Sequence, residues 1–288
     1  MHDDRLIGET RGFAMTTNWS ADQYLKFESE RNRPIADLLG AIPTRYVRSA
    51  VDLGCGPGNS TELLAARFPA ATIIGVDSAA NMIAAARKRL PHLVFEQIGI
   101  AQWLAGAHFV TGGSTTDAQS HGDARLDLIL ANAVLQWLPD HARLLPALVA
   151  KLAPGGSLAV QIPDNLAEPV QQLMREVAAD GPWRERLARA GGERTPIAAP
   201  DWYHALLRPA CSRLDVWRTT YYHPLAGIQG VIEWFSGSGL RPFLARLEAD
   251  EQSEFLARYA NALERTYPLL QDGSILLPMP RLFIVATR

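Results

Sequence analysis

The sequence is poor in several things, and each shortage excludes something. It has two cysteines in 288 residues, Cys55 and Cys211. They form neither a metal-ligand spacing nor a disulfide framework, so a reducing cytoplasm is the compartment expected. It has three lysines, Lys26, Lys88 and Lys151, and a net charge of −2. That balance offers no basic excess for nucleic acid. No apolar run reaches the roughly 18 residues of a membrane span. The first twenty residues lack the continuous apolar stretch of a signal peptide. What remains is a near-average globular composition, 48% hydrophobic and 20% charged. Nearly all of its positive charge is arginine, whose planar guanidinium suits carboxylates better than an ammonium does.

The hydrophobic pattern alternates between two periods. Residues 19–39 read as helical, with a break at Pro34. Short apolar runs at 50–53, 71–77, 93–98, 126–132 and 157–162 read as buried strands, with helices at 60–68, 79–90 and 142–152 between them. Such an order predicts a doubly wound α/β fold whose sheet is largely parallel and covered on both faces. The glycine- and serine-rich stretch 112–123 reads as a surface insertion. Residues 163–208 read as broken helices, 212–225 as a strand, 227–269 as mostly helical and 274–288 as β-structure. No internal repeat is visible.

The first strand runs into "VDLGCGPGNS" (51–60). Glycines at 54, 56 and 58 let the backbone approach a ligand and adopt positive φ. About twenty residues later the second strand ends at Asp77, where a carboxylate can accept both hydroxyls of a ribose. These features fit NAD or S-adenosylmethionine. The spacing is G-x-G-x-G rather than the dinucleotide G-x-G-x-x-G, and Pro57 has no N–H for a pyrophosphate. Asp52, just before the loop, suits a cationic ligand.

The segments "DLGCGPGNST", "GVDSAANMIAAAR" and "LILANAVLQWLPDH" resemble the cofactor motifs of class I S-adenosylmethionine-dependent methyltransferases. "WSADQYLKFESERNRP", "WRTTYYHPL", "GLRPFL" and "PRLFIVA" resemble the trans-aconitate methyltransferases within that class, and this likeness runs from about Trp19 to the C-terminus. The resemblance implies a seven-stranded, mostly parallel Rossmann-like sheet with a helical substrate-covering insertion. It implies one domain over 15–288: a helical cap at 15–49, a cofactor half at 50–162, and a substrate half at 163–288 with a helical lid at 227–269. From the N-terminal sequence itself, residues 1–14 read as a disordered extension or a misassigned start before Met15. Asp52, Gly54, Gly56 and Gly58 would then lie along the methionine end of the cofactor. Asp77 would take the ribose, Ser78 and Met82 would flank the adenine, the Ile100 N–H would reach the ring, and Asn132 would sit near the sulfonium. Gly99 stands where the class usually carries an acid for the adenine amine. Losing one such bond costs on the order of 1 kcal/mol, and Gln102 is a candidate substitute.

A carboxylate acceptor is already ionised at neutral pH and needs no general base, so no catalytic residue and no metal is expected. The acceptor site should instead supply donors for an anion. The candidates are Tyr24, Gln136, Arg218, Tyr222 and Arg241. Strand alternation puts Arg218, Thr220 and Tyr222 on one face and Trp217, Thr219, Tyr221 and His223 on the other. His223, before Pro224, reads as a turn residue, and Arg33 and Arg281 as surface-paired. The expected protein is a cytoplasmic monomer that monomethylates a small tricarboxylate. The alternatives left open are another small acid or nucleophile as acceptor, and a regulatory protein that binds the cofactor without catalysis.

Overall fold

Buried β-branched runs and the amphipathic segments between them assemble into one mixed sheet flanked by helices. The computed structural model describes residues 27–106, 125–190, 194 and 196–288. In chain order, helix α1 (Glu28–Ala41) leads to β1 (Ser49–Leu53), α2 (Asn59–Arg67), β2 (Thr72–Asp77), α3 (Ala80–Arg89), β3 (Val94–Gln97) and α4 (Ile100–Leu104). Then come β4 (Leu126–Asn132), a 3-10 turn at Leu135–Trp137, α5 (His141–Ala150) and β5 (Leu152–Pro163). The second half holds α6 (Pro169–Ala179), α7 (Arg184–Leu187), α8 (Pro200–Leu207), β6 (Arg213–Leu225), α9 (Gly227–Ser236), α10 (Arg241–Leu244), α11 (Ala249–Thr266) and β7 (Ile275–Thr287). The stretches 1–14 and 112–123, and with them Trp19 and Tyr24, lie outside the described residues.

The strand order is β3-β2-β1-β4-β5-β7-β6. The first five strands pair in parallel, and β7 pairs antiparallel with both β5 and β6. Pairing of β5 with β7 stops at Pro163↔Arg281, whereas β6 and β7 continue to Leu225↔Ile275. The last two strands therefore project past the sheet as a two-stranded arm. Helices α6, α9, α10 and α11 pack around that arm in their own core, which includes Met174, Trp183, Val231, Phe255 and Tyr259.

Three local expectations change. The helix expected to break at Pro34 runs through it as α1, with Pro34, Ile35, Leu38 and Leu39 buried together. Burying that stripe, at about 2 kcal/mol per large side chain, outweighs the hydrogen bond proline cannot make. The fifth strand begins at Leu152 rather than at 157, with a register irregularity between Leu126 and Leu128. His223 is no turn residue: it is a buried position inside β6.

Candidate functional site

The site is built at the carboxyl ends of the parallel strands, and the register shows which side chains share it. Residues directly paired across strands point to the same face. Asp52 pairs with Leu130 and Gly75, Leu130 with Ala159, and Asn132 with Gln161. Gln161 pairs with Phe283, and Arg281 with Thr219. By this parity Asp77, Asp52, Asn132, Gln161, Arg281, Tyr221 and His223 lie on one face, the face covered by α1. Along it the chemistry changes from carboxylates, through neutral amides, to a guanidinium.

The acidic end begins at the glycine loop. Gly54, Gly56 and Gly58 all have positive φ, at 65°, 55° and 96°. At Gly54 a Cβ would sit 2.3 Å from Cγ2 of Val134, so the loop after β4 closes directly on it. The loop is tied to β2 through Asp77, whose Oδ2 accepts from the Gly56 N–H at 3.0 Å and whose Oδ1 accepts from the Ala79 N–H at 2.8 Å. Burial raises the Asp77 carboxyl above its ordinary range.

Asp52 is fully buried. Its Oδ2 accepts from Ser60 Oγ at 2.6 Å and Thr61 Oγ1 at 2.7 Å, which fixes the first turn of α2. Its Oδ1 has no hydrogen-bond partner among the described residues. Burial is the main cause that pushes this carboxyl up to about 6, against the two hydroxyl donors and with help from Asp77. The first turn of α1 is held against the same loop: Glu28 accepts from Asn59 Nδ2 at 2.6 Å and pairs with Arg89, which also pairs with Glu62.

On the adenine side of the expectation, Ser78 is exposed just after β2 and Met82 is buried in the first turn of α3. Ile100 opens α4 with its side chain in the core. Gly99 is the N-cap of α4, and its N–H donates to Gln102 Oε1 at 3.3 Å, so Gln102 closes a helix end.

In the middle of the row, Asn132 Oδ1 and Gln136 Oε1 are buried without partners among the described residues. Gln136 Nε2 donates to the Ala133 carbonyl at 2.7 Å, and Ala133 itself has φ 51°. A non-glycine residue in that conformation costs on the order of 1 kcal/mol and marks a loop held in place by its surroundings.

The structure does not bring the remaining acceptor candidates together. Arg218 and Tyr222 lie on the opposite face of β6, where Arg218 pairs with Asp164 and Tyr222 is 62% exposed. Arg241 opens α10 and is half-buried; its neighbours Pro242 and Phe243 line a cleft with Trp137, Gln171 and Arg194. Tyr24 is outside the described residues.

Four polar residues that the motifs did not single out as site residues stand at this end. Arg281, expected at the surface, is buried, and its Nη1 donates to Gln161 Oε1 at 3.1 Å. Gln161 Nε2 and His223 Nε2 are buried without partners among the described residues. Burial first, and the Arg281 charge next, push His223 down to about 4, so it is neutral at pH 7. Arg194 donates to Asn165 Oδ1 at 2.9 Å and to the Pro163 carbonyl at 3.0 Å, and burial lowers it to about 10. The signal for Arg281 was present in the sequence: a lone cation within the apolar run "RLFIVA" (281–286), in phase with Phe283 and Val285.

Among the described residues no group of three or more His, Cys, Asp or Glu could hold a metal ion, and no helix is long and apolar enough to cross a membrane.

A family model described as a methyltransferase domain matches residues 51–158. The chain is 53% identical over 271 residues to the trans-aconitate 2-methyltransferase of Methylobacterium nodulans, covering 94% of this chain and 98% of that protein. It is 46% identical over 271 residues to the protein of the same name from Variovorax paradoxus, with the same coverage. Among solved structures, the YcgJ protein of Bacillus subtilis superposes with a TM-score of 0.54 at 12% identity, over 89% of this chain and 98% of that one. At that identity the likeness speaks for the fold alone.

Proposed function

The chain belongs to the trans-aconitate 2-methyltransferase family, and from that membership we propose that it transfers the methyl group of S-adenosylmethionine to a carboxylate of trans-aconitate, giving the monomethyl ester. The observation that carries this reading is the charge order along the sheet face, acidic at Asp77 and Asp52 and basic at Arg281. A cationic methyl donor fits the first end and an anionic acceptor the second.

The residues present fit this cofactor better than a dinucleotide. Asp52 Oδ1 and Asn132 Oδ1 are buried acceptors that lack donors among the described residues. A pyrophosphate needs N–H donors, yet the Gly56 N–H already serves Asp77 and residue 57 is a proline. We assign the cofactor to Asp52, Gly54, Gly56, Gly58, Asp77, Ser78, Met82, Ile100 and Asn132. Gln136, beside Asn132, is kept on the acceptor side.

When bound, S-adenosylmethionine supplies a methyl group on a positively charged sulfur, so that an acceptor oxygen forms the new C–O bond as the C–S pair returns to sulfur. No proton moves, and the protein needs no general base. Its contribution is placement and electrostatics. Asp52 and Asp77 favour positive charge at one end, Asn132 and Gln136 present unpaired oxygens between the two ends, and α1 and the arm exclude water from above. We read the protein as a cytoplasmic monomer that acts on a small molecule and not on nucleic acid. The free, buried Cys55 and Cys211 and the net charge of −2 support that reading.

The test is a mass-spectrometric assay with S-adenosylmethionine and a panel of mono-, di- and tricarboxylates. Trans-aconitate should gain one methyl group and be the preferred acid. Preference for a different acid would reassign the substrate.

A further inference from the structure

We propose that Arg281, Gln161 and His223 hold a carboxylate of the acceptor other than the one being methylated, with Arg33 at the solvent edge. This deepens the reading above and rests on it. Arg281 is a buried guanidinium on β7, 5.9 Å from the Tyr221 ring, and Arg33 of α1 lies 5.5 Å from the same ring. Gln161 uses its oxygen to fix one arm of Arg281 at 3.1 Å, which leaves its Nε2 unpartnered among the described residues.

His223 is held between two rings, 4.7 Å from Trp234 and 6.4 Å from Tyr221, and its Nε2 is likewise buried and unpartnered among the described residues. A neutral imidazole with its proton on Nε2 can donate a hydrogen bond to a carboxylate. Two carboxylates lie nearby. Asp37 accepts from the Tyr221 hydroxyl at 2.6 Å, and the Glu30 charge acts on His223 in the direction opposite to those of Arg281, Arg31 and Arg33.

The donor set is the opposite of the acceptor set at Asp52, and its place fits a second carboxylate. Gln161 is the direct strand neighbour of Asn132, about 4.8 Å away in the backbone, a span within one small polycarboxylate. The site would therefore select acids with at least two carboxylates. The Arg218–Asp164 pair on the other face of β6 would have no part in it.

The experiment compares wild type with Arg281→Met, Arg281→Lys, His223→Phe and Gln161→Glu. Three quantities are read: the KM for trans-aconitate at saturating S-adenosylmethionine, the preference for tri- over monocarboxylates, and the cofactor Kd by calorimetry. Arg281→Met and His223→Phe should raise KM about tenfold or more, the cost of losing a hydrogen bond to a charged group. They should also erode the tricarboxylate preference and leave the cofactor Kd unchanged. Arg281→Lys should fall in between, and Gln161→Glu should behave as a loss because it neutralises the guanidinium. Unchanged KM in the His223 and Arg281 variants would overturn the proposal, as would a cofactor Kd that rises in step with KM. If Arg281→Met does not fold, the His223→Phe result decides, since phenylalanine keeps the stack on Trp234. Wild type that methylates none of the acids would overturn the underlying reading, whereas active wild type with indifferent variants would overturn only this site.

Discussion

Replacing Asp52 by asparagine should make the free protein gain stability relative to wild type as pH rises, and should weaken its hold on the cofactor. An ordinary aspartate ionises near 3.8, and burial delays this one to about 6. The folded state therefore carries an ionised group at a cost of about 3 kcal/mol at neutral pH. The sign follows from proton counts. Between the two values the folded state binds the extra proton, so this contribution to stability is complete below 3.8 and is lost as pH rises through about 6. Asparagine removes the dependence. It can still accept from Ser60 and Thr61, but its amide hydrogens then face the position where Oδ1 has no partner, at a pH-independent cost of about 1–3 kcal/mol. The difference between the two proteins should thus change by about 2 kcal/mol between roughly pH 4.5 and pH 7.5, with wild type losing ground. Urea unfolding across that range measures it. Calorimetry supplies the second half: near pH 6, binding the cationic cofactor to wild type should release about half a proton more than binding it to Asp52→Asn. Parallel stability curves, or equal proton release, would refute the reasoning.

Asp77→Ala removes the acceptor of the Gly56 and Ala79 N–H groups together with the ribose acceptor assigned here, so the cofactor Kd should rise at least about tenfold. Calorimetry showing unchanged affinity would remove Asp77 from the site. Gly54→Ala places a methyl 2.3 Å from Val134 Cγ2 at φ 65° and should destabilise the fold by about 2 kcal/mol or more, seen as a Tm lowered by several degrees. Gly99→Asp meets nothing nearer than Gln102 Oε1 at 3.6 Å and keeps an ordinary φ of −78°, so the chain should accept it. With the acid that the class usually carries restored, cofactor affinity should tighten about fivefold, equivalent to about 1 kcal/mol. No change would place the adenine elsewhere.

The parallel half of the fold was legible because each buried strand is a short apolar run and each crossover helix has its own period. The glycine loop and Asp77 were legible because they are local: a motif and the end of one strand. The acceptor end was harder for a physical reason. Alternation along β6 separates two faces but does not say which one turns inward, since that depends on α1 and β7, which are distant in the chain on either side. Arg218 and Tyr222 share one face, while Tyr221 and His223 on the other are the buried pair. Arg281 reads as a surface-paired charge until its pairing with Thr219 and Pro163 puts it on the face covered by α1. Pro34 misled for a related reason: its local penalty is visible in the sequence, but the buried stripe that overrides it is visible only in the packing.

The most direct test of methyl transfer to a carboxylate uses S-adenosylmethionine labelled in its methyl group, with trans-aconitate as acceptor. The product should carry one labelled methyl that mild base removes while returning trans-aconitate, as an ester requires. A labelled product that resists base, or no labelled product at all, would contradict the account.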